Sequence, residues 1–220
     1  MKILLVSATK YEIAPFIKTC KKISSVGNFT SYQSAIHSVD VLITGVGMTA
    51  TAFGLGKILH KKYDLAINAG VAGSFKKDIA LGTVVNVVSD CFADFGVEDG
   101  NTFITAAEIG LVSSSEFKVS GLFNKNKLLK SLPKVEGITV NTVHGNTTSI
   151  KKVVQKFNPE IESMEGAAFY YSCQQSGLPA LQIRAISNYV EKRNKKKWKM
   201  ENAISNLNFF LEEFLQQIIN

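Results

Sequence analysis

The sequence predicts an α/β fold: a single domain with a central, mostly parallel mixed sheet flanked by helices. Three observations predict it. Apolar runs rich in β-branched residues alternate along the chain with stretches of helical period, the order expected when helices cover a sheet. The runs are continuous rather than alternating, as strands buried on both faces require. No repeat, low-complexity tract or Pro/Gly/Ser linker divides the 220 residues, a length that one α/β domain reaches, so the domain is expected to span residues 1–220.

In chain order, strands are expected at residues 3–6, 39–44, 65–68, 83–88, 137–143 and 181–186. Helices are expected at 49–62, 147–157 and 165–175. The last segment carries Ile204, Leu207, Leu211, Phe214, Leu215 and Ile218 on one stripe, with Glu212, Glu213, Gln216 and Gln217 opposite. That pattern is an amphipathic helix closing the core.

Composition excludes several classes. Hydrophobic residues at 45% and charged residues at 20% exclude disorder. Apolar runs stop well short of the ~18 residues of a membrane span, so a soluble protein is expected. The N-terminal run is too short for a secretory signal, with Glu12 near the place of a cleavage site. The three cysteines, Cys20, Cys91 and Cys173, are odd in number and form no CxxC pair. Neither a disulfide framework nor a metal site is indicated, and a reducing cytoplasm fits. No cofactor is expected.

The net charge of +7 raises the question of nucleic acid. The excess is concentrated in Lys192, Arg193, Lys195, Lys196, Lys197 and Lys199, around Trp198. Such a run reads as a solvated loop, and an anionic small molecule is the better-fitting partner.

In open α/β sheets, ligands bind beyond the carboxyl ends of the strands, so the residues following each strand are the candidates. Gly45-Val46-Gly47-Met48-Thr49-Ala50 fits a dinucleotide-binding turn. The acid such a site needs should end the next strand, whereas Asp64 precedes it. What survives is a pair of glycine segments, 45–47 and 70–73, read as loops that bring bare backbone close to a ligand. Glu12 follows the first strand and can face the cleft from the first turn of a helix. Glu165 opens an apolar helix, where a carboxylate can accept from two neighbouring hydroxyls, as ribose offers. Asn188 ends the last strand and offers both a donor and an acceptor without ionising, which suits the edge of a heterocycle.

Together NAGVAGSF, VVNVVSD, ESMEGAA and RAISN, in this order and at these spacings, resemble the purine nucleoside phosphorylase and nucleosidase superfamily over nearly the whole chain. Within it the chain is most similar to the futalosine hydrolases of menaquinone biosynthesis, and next to the methylthioadenosine/S-adenosylhomocysteine nucleosidases. The resemblance implies hydrolysis of a purine N-glycosidic bond, usually by a homodimer. It implies Glu12 as the base that activates water, Glu165 as the acid that holds the ribose hydroxyls, and Met164 as the side chain packed on the sugar. Ala72, Gly73, Val143, His144, Met48 and Arg193 join them as substrate-binding residues.

Two departures from the methylthioadenosine nucleosidases matter. Those enzymes carry aspartate in RAISD where this chain has Asn188, and an amide favours a six-oxo purine over adenine. Val71 replaces a hydroxyl residue. The loop at 45–48 has no arginine of the kind phosphorylases use for phosphate, so water is the expected nucleophile. Arg193, with Phe92 or Phe95, is expected to meet the aromatic carboxylate on the 5′ side of futalosine. The alternatives are a methylthioadenosine nucleosidase, a phosphorylase and, further off, a basic nucleic-acid binder.

Overall fold

A computed structural model describes residues 1–119 and 126–218. The chain runs β1 (Lys2–Ser7), α1 (Lys10–Lys18), β2 (Lys21–Val26), β3 (Phe29–Gln33), β4 (Ser38–Ile43), α2 (Met48–Gly56), β5 (Leu65–Ser74) and β6 (Val84–Phe92). It continues through β7 (Gly96–Asp99), β8 (Thr102–Thr105), β9 (Glu116–Lys118), α3 (Lys127–Ser131), β10 (Lys134–Thr139) and α4 (Thr147–Phe157). It closes with β11 (Ile161–Ser163), α5 (Gly166–Gln175), β12 (Ala180–Tyr189) and α6 (Met200–Gln217).

The main sheet has the order β11-β10-β6-β12-β5-β1-β4-β3-β2, with β9 added beside β6. Pairing is parallel where β1 meets β4 and β5, where β12 meets β5, and where β10 meets β6 and β11. It is antiparallel in the β2-β3-β4 meander and between β12 and β6. A further antiparallel contact, Ile161 with Ser74 and Glu162 with Gly73, joins β11 back to β5. That contact closes β5, β12, β6, β10 and β11 into a ring.

The helices cover both faces. Ile13 and Phe16 of α1 pack with Leu207, Leu211 and Phe214 of α6 on one side, and Leu55 of α2 packs with Phe169 and Cys173 of α5 on the other. Each such side chain contributes roughly 1.5–3 kcal/mol by leaving water. The α6 stripe is buried at each position from Ile204 to Leu215 that the periodicity selects, and at Ile218. Among the described residues no helix is long and apolar enough to cross a membrane.

Several boundaries differ from the sequence reading. The strand expected at 65–68 continues to Ser74, so Gly70 to Gly73 is strand rather than loop. The reason is pairing on both sides, with β12 through Asn188 opposite Gly73 and with β11 through Glu162. The strand expected to reach residue 143 stops at Thr139, where the three-residue β11 beside it runs out at Ser163. The helix expected to reach 62 ends at Gly56, two residues past Gly54, since glycine weakens a helix by roughly 1 kcal/mol. Asp64 accepts from the Lys2 N–H at 2.6 Å, at the amino end of β1, far from where a dinucleotide's ribose would need it.

Candidate active site

Glu12 occupies the third position of α1 and closes a capping box. Its Oε2 accepts from the Thr9 N–H and hydroxyl, both at 2.9 Å, and from the Ser7 hydroxyl at 3.2 Å. Oε1 accepts from the Val71 N–H at 3.1 Å, so the carboxylate reaches from a helix start to the carboxyl half of β5. Behind it, the Asn208 side chain of α6 is inserted into α1. It accepts from the Phe16 N–H at 2.9 Å and donates to the Glu12 carbonyl at 2.8 Å, the two groups an unbroken helix would join to each other. Pro15 lies in the same turn.

Glu165 sits at the N-cap of α5 and is 5% exposed. It accepts from the Gly47 N–H at 3.1 Å. Gly47 has φ +100°, a left-handed backbone that a side chain would strain. Between Glu165 and Glu12 lies Arg184 of β12. Its Nη1 is 3.6 Å from Glu165 Oε2, its Nε donates to Gln182 Oε1 at 3.0 Å, and its Nη2 donates to Asn68 Oδ1. A Cβ built on Gly70 would collide with Arg184 Nη1 and lie 2.8 Å from Glu12 Oε1. Glycine is therefore required inside this strand because arginine and glutamate converge on it. Burial raises the Glu165 pKa and the Glu12 charge adds to that, while Arg184 and the Gly47 N–H oppose the shift.

The same network runs on to Asp90, which is fully buried. It accepts from Gln182 Nε2 at 2.9 Å and from the Thr139 hydroxyl at 2.8 Å. Burial pushes its carboxyl up to about 6, against these two hydrogen bonds and Arg184. A folded pKa above the unfolded one means that the folded state holds more protons between pH ~4 and ~6, so stability falls as pH rises through that window. The shift corresponds to roughly 3 kcal/mol. Urea unfolding should show that loss between pH 4 and 6, flattening above, and Asp90→Asn should remove most of the slope. Identical slopes in both proteins would show that Asp90 does not titrate there.

At the far end of β5 and β12, a cavity of about 580 Å³ is lined by Gly73, Val143, His144, Glu162, Asn188 and Arg193, among others. Asn188 accepts from the Ser187 hydroxyl at 2.8 Å and donates to the Tyr189 carbonyl at 3.1 Å. His144 donates its N–H to Glu162 at 3.0 Å, and its Nδ1 is 2.7 Å from the same carboxylate. Of the expected site residues, Gly73, Val143, His144, Asn188 and Arg193 thus share one cavity. Glu12 and Glu165 do not line it. They form the buried cluster around Arg184, and Glu12 meets β5 at Val71, two residues before Gly73. Ala72 lies between, its carbonyl accepting from Ser187 at 3.3 Å. Met48 opens α2 against Asn141 Nδ2, 3.9 Å from its sulfur, and half-buried Met164 precedes Glu165.

The expected aromatic partners of Arg193 are elsewhere. Phe92 and Phe95 pack with each other and line a separate cavity with Phe117 and Tyr171, because Phe92 ends β6 beside Phe117 of β9, which in turn packs on Tyr171 of α5. Arg193 instead has its guanidinium 5.6 Å from the centre of the Trp198 ring and lines the same cavity as Asn188.

Arg184, Glu162 and Asp90 had no role in the sequence reading. For Arg184 and Asp90 a signal was present, a charge inside a largely apolar strand segment, and buried charges are almost always paired; Glu162, between Glu160 and Glu165 in a polar stretch, carried none.

The phosphorylase superfamily profile matches residues 2–216. Futalosine hydrolase of Streptomyces coelicolor is 26% identical over 176 residues, covering 76% of this chain and 74% of that protein. The 5′-methylthioadenosine/S-adenosylhomocysteine nucleosidase of Buchnera aphidicola is 26% identical over 200 residues, covering 85% and 78%. In fold, the chain is similar to futalosine hydrolase of Helicobacter pylori, with a TM-score of 0.85 at 19% identity over 99% of this chain and 98% of that one.

Proposed function

The chain belongs to the phosphorylase superfamily, and on that premise we propose that it is a nucleosidase hydrolysing the N-glycosidic bond of futalosine, releasing hypoxanthine. The observation that carries the reading is the neutral amide of Asn188 lining the cavity beside Gly73. A carboxylic acid there would serve an adenine edge, whereas an amide N–H serves a six-oxo group.

In this mechanism Glu12 takes a proton from water as it attacks the anomeric carbon, and Glu165 accepts from the ribose hydroxyls with Met164 against the sugar. The backbone of Ala72 and Gly73, with Val143 and His144, surrounds the base, and Met48 closes the sugar side. Water is the nucleophile. The chain has two arginines, Arg184 and Arg193; the first is engaged with Glu165, Asn68 and Gln182, and the second stands at the base end. The homodimer, the cytoplasmic setting and the place in menaquinone biosynthesis belong to the same proposal, carried by the resemblance.

The test is incubation with futalosine, inosine and methylthioadenosine, without and with phosphate, following the free base by chromatography. Hypoxanthine release from futalosine without phosphate is expected. Dominant adenine release from methylthioadenosine overturns the reading. Asn188→Asp should lower the preference for the six-oxo substrate over the adenine one by about 10²-fold or more, since a site built for one edge leaves buried polar groups unpaired with the other. An unchanged ratio of kcat/KM values would remove Asn188 from base selection.

A further inference from the structure

The cavity beside Asn188 holds a titratable pair with no part in water activation or ribose binding. Glu162 of β11 is 4% exposed and receives both the His144 backbone N–H, at 3.0 Å, and the His144 ring, Nδ1 at 2.7 Å. A carboxylate only accepts, so Nδ1 carries a proton whether the ring is neutral or protonated, and one acid fixes the position of the ring and directs any second proton to Nε2. Nε2 is left as the ring nitrogen without a partner among the described residues. The Phe75 ring packs on the other side, its centre 6.3 Å from that of His144. A Cβ built on Gly73 would lie 3.2 Å from Asn188 Nδ2 and 3.7 Å from Glu162 Cγ, so amide and acid flank one backbone position. The remaining charged groups around the cavity are Lys77, Glu191, Lys192, Arg193 and Lys197, and Glu191 is paired to both Lys77 and Lys197.

A departing purine needs a proton on its five-membered ring, because the electron pair of the broken C1′–N9 bond ends there. Asn188 cannot supply one. We propose that His144 is the general acid for the leaving base, with Glu162 as its positioning residue. The inference rests on the nucleosidase reading. As the C1′–N9 bond breaks, its electron pair passes into the purine, and His144, reacting as the imidazolium ion-paired to Glu162, gives its Nε2 proton to N7, leaving a neutral base and the neutral Nδ1–H ring. Water forms the new C1′–O bond and its proton goes to Glu12. Glu12 then returns a proton to solvent and His144 recovers one.

The test compares a neutral six-oxo purine nucleoside with 4-nitrophenyl β-D-ribofuranoside, whose phenolate leaves without a proton. His144→Gln should lose about 10²–10⁴-fold in kcat on the nucleoside and less than about tenfold on the aryl riboside, and Glu162→Gln should show the same selectivity in smaller measure. Should His144→Gln fold poorly, His144→Ala with added imidazole replaces it, rescue being expected on the nucleoside alone. Equal losses on both substrates, or none on either, overturn the assignment while leaving the nucleosidase reading standing. A wild-type protein that cleaves no purine nucleoside sinks both.

Discussion

Glu12→Gln should lower base release by about 10²–10⁴-fold, the usual contribution of a positioned proton acceptor, while the protein stays folded. The variant keeps the side-chain length and one carbonyl oxygen. The hydrogen bonds from Thr9 and Ser7 to one oxygen can therefore persist. What changes is the other end, where an NH₂ replaces the acceptor of the Val71 N–H, so two donors face each other at roughly 1–3 kcal/mol. Single-turnover release of hypoxanthine measures the first effect and urea unfolding the second. Wild-type turnover would exclude Glu12 as the base. A fall in kcat together with complete unfolding would mean that its contribution is structural.

The largest expected effect on stability is at Arg184. Replacement by methionine keeps much of the volume but removes the only positive charge within contact of Glu165 among the described residues. It also strips the donors from Gln182 Oε1 and Asn68 Oδ1, leaving two buried carboxylates, Glu165 and Asp90, without their shared cation. Breaking a buried pair from one side typically destabilises by 3–5 kcal/mol. Arg184→Met should therefore show a lowered urea midpoint of that order, with activity lost even where the protein remains folded. Arg184→Lys should recover little, because a single ammonium cannot donate in three directions from one plane. An Arg184→Met variant within about 1 kcal/mol of wild type would show that the guanidinium is dispensable to the fold.

The strands that build the site were legible because Leu65 to Asn68 and Leu181 to Ile186 are short, mostly apolar segments buried at every position, although Gln182 and Arg184 interrupt the second. The continuation of the first to Ser74 was not, since a glycine-rich segment gains its strand geometry from neighbours distant in sequence. The β2–β3 hairpin was missed for the opposite reason. The residues of β2 are exposed throughout, so no apolar period marks them. At the site, Glu12, Glu165 and Asn188 were legible from their places at element ends. The division between a cavity holding Asn188 with His144 and a buried cluster holding the two glutamates was not. It depends on Arg184 lying across β5 at a glycine, a contact between strands that chain order does not encode.

The Asn208 side chain has a kinetic corollary. It holds the Glu12 carbonyl across a separation of 196 positions, so the turn bearing Glu12 reaches its final form only after the C-terminal helix has docked. A nascent chain still short of that helix would carry every side chain assigned to catalysis and yet be inert, and loop closures of such length are among the slowest steps of folding. Onset of hydrolysis during refolding should accordingly coincide with the last phase, not with formation of the sheet.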